Sequence, residues 1–367
     1  MRKRVVILRI HKYDKDLIKE KISQALYKYF SIDSIKKEDN ILLKPNLLMP
    51  VNPYLAITTH PTIIEAVGCI FKERGNSVFV ADCPGGFLNK NDLNYVYKET
   101  GVFDISLKND FKLLYPESFF TKNNLPLCWW VNQFKMINIP KLKTHSLTTL
   151  SLATKNLYGC IYGDFKSFFH LKLPKPKDFI KIIIDLYKNI KPFLNIVDGI
   201  LGLEGNGPAR GGRPKNLGLI FIGDDPLYTD YAISKFFKIK DRFNPLIKAA
   251  KEMGLIFEKD LEIISDLKDI NVNLKLPSVH ILNYFPNSLI SFLKSFLKFY
   301  PKIDNGKCRF CFKCKNYCPK NAIYVKENGE LGINLKKCIM CMCCIESCKF
   351  GAINLDRGFI LKIIGRL

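Results

Sequence analysis

Residues 308–319 read CRFCFKCKNYCP, and residues 338–349 read CIMCMCCIESCK. Each run sets four cysteines in the spacing C-x-x-C-x-x-C-x-x-x-C, and the two runs begin 30 residues apart. Their tails repeat too: CPKNAI (318–323) against CKFGAI (348–353). Nine of the thirteen cysteines lie between 308 and 348. In an intracellular chain, cysteine at this density points to metal rather than to disulfides.

The spacing has a physical reason. Three thiolates placed three residues apart wrap one face of a cubane cluster in a tight loop, and the fourth cysteine lies beyond a bend and reaches the other cluster. The expected ligands of one cluster are Cys308, Cys311, Cys314 and Cys348; those of the second are Cys338, Cys341, Cys344 and Cys318. A structural zinc site is the competing reading, but zinc sites rarely duplicate such a run. Over about 55 residues the chain resembles the bacterial ferredoxins that carry two [4Fe–4S] clusters, a small α+β fold. Lys349 stands where that pattern often has proline, and Cys343 lies outside the pattern and reads as a free thiol or one that supports the ligands from beside them. Between 301 and 357, eleven Lys and Arg face five Asp and Glu. A module this basic suits a fixed role within its own chain or docking to an acidic carrier.

The chain has 367 residues, more than one core usually fills. Residues 1–285 alternate strand-like and helix-like patterns. VVILRI (5–10) precedes DLIKEKISQALYKYF (16–30), and ILLKPNLL (41–48) precedes HPTIIEAVGCIFKERG (60–75). SVFVADCPGG (77–86), FKMINIP (134–140), FLNIVDGI (193–200) and LGLIFIG (217–223) are further strand candidates. The alternation predicts an α/β domain with a largely parallel sheet flanked by helices. Residues 286–300 read as a connecting amphipathic, basic helix that packs between domains or touches a membrane surface. The ferredoxin-like domain occupies 301–357, and the apolar, basic tail 358–367 is a further candidate for docking.

Several predicted strands end in polar residues: Lys44 and Asn46; Asp82 and Cys83; Lys141, Lys143, Thr144 and His145; and Asp198, Glu204 and Asn206 before a glycine loop. Lys155 and Asn156 follow shortly after the third set. In open sheets, ligands bind beyond the carboxyl ends of strands. If these ends share one edge, they build a pocket whose lysines and histidines suit a carboxylate or phosphate. His145, Lys143 and His60 are the candidate catalytic groups, histidine because its ordinary pKa lies near neutrality. Lys44, Asn46, Lys141, Thr144, Lys155, Asn156, Glu204 and Asn206 are the candidate substrate-binding groups, and His170 is a further candidate. KLKTH (141–145) reads alternatively as an exposed turn, His60 as a helix-entry residue with Thr59 as its cap, and LEGNGPARGG (203–212) as a mobile loop or a plain surface turn. KPNL (44–47), TTHP (58–61), PKLKTH (140–145), KNLYG (155–159) and VDGILGLEGNGP (197–208) together resemble the family called domain of unknown function 362. The resemblance implies the architecture and a site at these motifs, but no reaction.

The favoured expectation is an iron–sulfur oxidoreductase in which two [4Fe–4S] clusters relay electrons to or from an anionic substrate or cofactor. The alternative is a non-catalytic electron-transfer or maturation protein that docks a client enzyme. The expected partner is a redox protein, an acidic ferredoxin or the client. A formal charge of +23 raises the case for acidic partners generally. Because the charge is scattered and no RNA module is recognisable, nucleic acid is the weakest reading. No apolar run reaches the roughly 18–20 residues that span a bilayer, so the expected location is the cytoplasm.

Overall fold

The computed structural model describes residues 2–87, 89–146, 148–173, 176–265, 267, 272–277 and 299–357. The predicted connecting helix up to residue 298 and the tail 358–367 lie outside the described residues. Phe299 and Tyr300, assigned to that helix by the sequence pattern, belong instead to a strand.

The strands of the large domain are β1 (Lys3–Arg9), β2 (Ile41–Pro45), β3 (Val78–Val80), β4 (Lys112–Leu113), β5 (Phe119–Lys122), β6 (Leu125–Cys128), β7 (Lys135–Ile139), β8 (Lys141–His145), β9 (Thr149–Ser151), β10 (Leu194–Gly205), β11 (Gly212–Gly223) and β12 (Leu261–Ser265). Its helices are α1 (Lys15–Tyr29), α2 (Pro61–Glu73), α3 (Lys90–Glu99), α4 (Val102–Asn109), α5 (Ala153–Asn156), α6 (Phe165–Lys172), α7 (Pro176–Asn189), α8 (Pro226–Phe236) and α9 (Pro245–Glu252). The central sheet runs β12-β1-β11-β10-β7-β2-β3-β4, with β8 and β9 branching from β10. Pairing is parallel from β10 through β7, β2 and β3 to β4, and antiparallel where β11 joins β10 and β1. The domain is therefore α/β with a mostly parallel sheet.

Side chains alternate across the strands and so feed two cores. Ile41 and Leu43 of β2 pack with Ile18, Ile22 and Leu26 of α1 and Ile63, Val67 and Phe71 of α2. Leu42, on the other face, packs with Ile183 and Leu186 of α7, Leu227 of α8 and Ile247 of α9. In α1 the buried positions 18, 22, 25 and 26 form one stripe, and Asp14 caps the start by accepting from Leu17 N at 3.1 Å.

KLKTH is not an exposed turn. It is strand β8, buried along its whole length. β7 pairs with β10 at Leu194 and Asn195, Pro140 interrupts, and β8 resumes against β10 at Asp198 and Leu203. Residues 203–212, expected as a surface turn or a mobile loop, form the end of β10 and the turn into β11 and are tied down: Thr144 Oγ1 donates to Gly205 O at 2.7 Å.

The C-terminal module is built twice. Strands β13 (Phe299–Ile303) and β16 (Ile353–Arg357) pair, as do β14 (Ile323–Val325) and β15 (Leu331–Ile333). Short helices Lys313–Asn316 and Cys343–Glu346 occupy equivalent places. The module sits on the α/β domain. Ile345, Cys348 and Ile353 share a core with Met49, Val51, Ile57 and Leu203, and Lys313 pairs with Asp92. The turn Pro84-Gly85-Gly86 allows this approach. A Cβ on Gly85 would lie 2.7 Å from the Tyr317 hydroxyl, and one on Gly86, whose φ is +78°, would lie 2.7 Å from Ser347 Cβ. Gly85→Val should therefore lift the module from its seat while both units stay folded. Small-angle scattering should report a larger radius of gyration than the wild type; an unchanged value would show that the turn does not set the contact.

Candidate functional site

The ends of β2, β3, β8 and β10 lie together, as the strand-end pattern anticipates, but two of the lysines are already neutralised. Lys44 Nζ donates to Asp82 Oδ1 at 2.7 Å and to Pro45 O, and Asp82 Oδ2 accepts from Leu47 N at 2.8 Å. Gly159 is required here, since a Cβ would lie 2.3 Å from Asp82 Oδ1 and 2.5 Å from Lys44 Nζ. Lys141 Nζ lies 2.8 Å from Asp198 Oδ2 and 2.9 Å from the Tyr13 hydroxyl, with both ion-pair side chains wholly buried. Tyr13 donates to Asp198 Oδ1 at 2.9 Å, and burial and Asp198 hold its phenol far above the ordinary range. Lys44 and Lys141 thus carry their own carboxylates and do not present free cations to an external anion.

His60 belongs to this second group. Its ring stacks on Tyr13 at 3.6 Å, and its backbone N–H donates to Asp198 Oδ2 at 2.9 Å. His60, not Thr59, is the N-cap of α2: its Nδ1 accepts from Thr62 N at 3.3 Å. Thr59 Oγ1 instead bridges Asn46 N and Ile139 O. Burial lowers the His60 pKa to about 4, so the ring is neutral. Glu204 is removed from the cluster, engaging Lys215 at 3.1 Å and Lys275 N at 3.0 Å. Asn206 lies in the hairpin turn before Gly207, whose carbonyl accepts from Ser146 N.

Lys143 is differently placed. It lies on the side of β8 that faces Asn46, and its Nζ donates to Asn46 Oδ1 at 2.7 Å and Ile57 O at 2.9 Å. From Asn46 a file of amides runs inward: Asn46 Nδ2 to Asn156 at 3.1 Å, Asn156 Nδ2 to Asn138 at 2.8 Å, and Asn138 Nδ2 to Asn195 at 2.8 Å. Burial, with Lys155 beside it, lowers the Lys143 pKa to about 7. Lys155 is lowered too, first by burial, and stands over the Phe179 ring at 5.7 Å. His145 is held well below its ordinary value by burial and by Lys155, Lys143 and His170, so it is a neutral imidazole. His170 stacks on Phe179 at 5.3 Å and joins this group.

The charge opposite these lysines comes from the C-terminal module. Glu346, between Cys344 and Cys348, is densely surrounded yet keeps some contact with solvent. Burial pushes its carboxyl up, and Lys155, Lys143 and Lys166 pull it back. Tyr158 and Tyr317 stand beside it, near Cys343. Sequence reasoning missed Glu346, Tyr317, Tyr13 and Lys166. Tyr158 lay unremarked in KNLYG, and Glu346 lay inside a run read only for its cysteines.

The eight pattern cysteines surround two hollows of near-equal size. Cys308, Cys311, Cys314 and Cys348 line one; Cys318, Cys338, Cys341 and Cys344 line the other, together with Cys343, which lies outside the pattern. In the first, Phe310 N and Ala352 N donate to Cys308 and Cys348 sulfurs at 3.4 and 3.3 Å. In the second, Met340 N and Ala322 N donate to Cys338 and Cys318 at 3.4 and 3.2 Å. Backbone N–H groups aimed at sulfur are donors suited to cluster thiolates. Among the described residues no three His, Cys, Asp or Glu side chains converge at single-ion spacing; the cysteines stand around hollows instead.

An α/β domain that carries a ferredoxin-type module on the carboxyl ends of its strands defines the class. The chain belongs to the family described as domain of unknown function 362, whose profile matches residues 41–235. It is 30% identical over 228 residues to a thylakoid-associated protein of Synechocystis, covering 60% of this chain and 70% of that protein. The C-terminal module is similar to pyruvate synthase subunit PorD of Methanocaldococcus jannaschii, 36% identical over 68 residues, 18% of this chain and 79% of that one. It is also similar to ketoisovalerate oxidoreductase subunit VorD of Pyrococcus horikoshii, 43% identical over 47 residues, 13% of this chain and 45% of that one. No solved structure matches. Among the described residues no helix is long and apolar enough to cross a membrane.

Removing one member of a wholly buried ion pair leaves an uncompensated charge and costs roughly 3–5 kcal/mol. Asp198→Asn should lose stability on that scale in urea unfolding followed by circular dichroism. Lys141→Met combined with Asp198→Leu should recover most of it. A loss of under about 1 kcal/mol for the single variant would mean that Lys141 is not held as a cation.

Proposed function

We propose that the protein is an iron–sulfur oxidoreductase in which the C-terminal module exchanges electrons with an anionic ligand held where it meets the α/β domain. Cys308, Cys311, Cys314 and Cys348 hold one [4Fe–4S] cluster, and Cys318, Cys338, Cys341 and Cys344 the other. Such clusters supply single electrons at low potential. The observation that carries the reading is the excess of cation beside the second cysteine run. Lys143, Lys155 and Lys166 face one carboxylate, Glu346, with Cys341 and Cys343 close by. Lys143 and Lys155 fix the anion, whose charge offsets the lysines that depress His145 and lets that imidazole accept or return a proton. Asn46 and Asn156 hold Lys143 in place through the amide file.

The first cluster faces outward. Cys311, Phe310 and Phe312 are exposed, and so are Arg309, Lys307 and Lys315. An apolar patch rimmed by cations fits an acidic redox protein, the partner from which electrons enter. The names of the subunits to which this module is similar, parts of a pyruvate synthase and a ketoisovalerate oxidoreductase, accord with such a partner.

Protein purified without oxygen should contain about eight irons and eight acid-labile sulfides per chain. Fewer than half that load in fully folded protein would refute the cluster assignment. Anion binding, probed by calorimetry with phosphate and with succinate, should weaken as pH rises through about 7, where Lys143 loses its proton. Lys143→Met should remove that pH dependence and lower affinity at least tenfold. Equal binding by the variant at every pH would return the lysines to a structural role.

A further inference from the structure

Three cysteines of the α/β domain take no part in the proposed anion site. Cys83 follows β3, Cys128 ends β6 and Cys160 ends the turn after α5, and all three are fully buried. Chain pairing gathers them. Leu127 and Ile161 form an antiparallel bridge, and Tyr162 N donates to Pro126 O at 2.9 Å. Cys128 and Cys160 therefore occupy opposed positions, whose side chains leave the same face. Cys83 joins Cys128 and Cys160 in one buried cluster, and its sulfur accepts from Gly163 N at 3.4 Å. Lys166 Nζ donates to the carbonyls of Cys83 and Ile161, which holds its ammonium beside the thiols. The neighbouring Cys128 thiol and Lys166 pull the Cys83 thiol below its ordinary range against burial, whereas burial pushes Cys128 up. A poised thiolate next to a protonated thiol is the arrangement from which a disulfide forms.

After Cys83 the chain runs directly into Pro84-Gly85-Gly86, the turn on which the ferredoxin-type module sits, and the Tyr317 hydroxyl rests on Gly85. Tyr317 immediately precedes Cys318 and stands within electrostatic reach of Cys83 and of Cys343 in the second cysteine run. Their full burial shuts out exchange with soluble thiols and leaves electron transfer as the way to oxidise or reduce them.

We propose that Cys83 and Cys128 form a dithiol–disulfide couple that exchanges electrons with the ferredoxin-type module. The proposal takes its electron acceptor from the iron–sulfur reading. On oxidation the Cys128 S–H bond breaks, an S–S bond forms between Cys83 and Cys128, one proton leaves, and two electrons pass singly to the two oxidised clusters. Reduction returns two electrons from the reduced clusters and one proton to Cys128. A two-electron couple matches the capacity of two one-electron clusters.

The test uses the full, iron-loaded protein, poised electrochemically with small redox mediators, quenched in acid, differentially alkylated and mapped by peptide mass spectrometry. A Cys83–Cys128 linked peptide should accumulate with the slope of a two-electron couple. In reductive titration the oxidised wild type should take up two more electrons per chain than Cys128→Ser. Iron is counted on the same samples, so the two readings fail separately. A linked peptide in a chain that holds no iron overturns the acceptor role of the module. Iron at full load with no linked peptide at any potential, with a link through Cys160 instead, or with equal electron uptake by both chains overturns the couple.

Discussion

Two buried lysine–aspartate pairs hold together the edge on which everything else is arranged. Charges taken out of water are costly, and such a pair persists only when its remaining donors and acceptors are satisfied. Asp198 takes Lys141, the Tyr13 hydroxyl and the His60 N–H; Asp82 takes Lys44 and the Leu47 N–H. Each carboxylate thereby ties a strand end to the segment that leaves a neighbouring strand. With Lys44 and Lys141 neutralised inside the fold, the remaining cationic character of the edge rests on Lys143 and Lys155, opposite Glu346 of the module.

The amide file from Asn46 through Asn156 and Asn138 to Asn195 serves the same edge at lower cost. Each amide both donates and accepts, so a row of them crosses the sheet without a net charge. A polar network of this kind rigidifies a core when every member is satisfied. It fixes β2, β7, α5 and β10 relative to one another and so fixes where Lys143 points.

The sequence made some of this legible and concealed the rest, for reasons of range. Cluster-type cysteine spacing is local, and the eight cysteines fall into the two groups that the spacing implies. The strands at 5–10, 134–140 and 217–223 and the helix at 16–30 were readable because apolar periodicity is local as well. KLKTH was not readable as a strand, because its polar side chains find their partners tens of residues away. The same holds for Lys44 and Lys141: no local signal marks a lysine whose carboxylate is 38 or 57 residues distant. His60 carried the opposite trap. A histidine before proline at a conspicuous motif invites a catalytic role, while its Nδ1 caps α2 and its ring stacks on Tyr13. Glu346 was hidden because a dense cysteine run draws attention to its cysteines alone.

The duplication within the C-terminal module is exact in spacing but not in setting. Phe310 and Phe312 flank Cys311 in water, whereas Met340 and Met342 flank Cys341 in partial cover. Both pairs hold the same left-handed backbone, with φ between 49° and 65°. Solvent exposure is one of the levers on the potential of an iron–sulfur centre. If the two runs hold the two proposed clusters, those clusters would differ in potential through their surroundings alone, and the module would carry a direction for current that its repeated sequence does not encode.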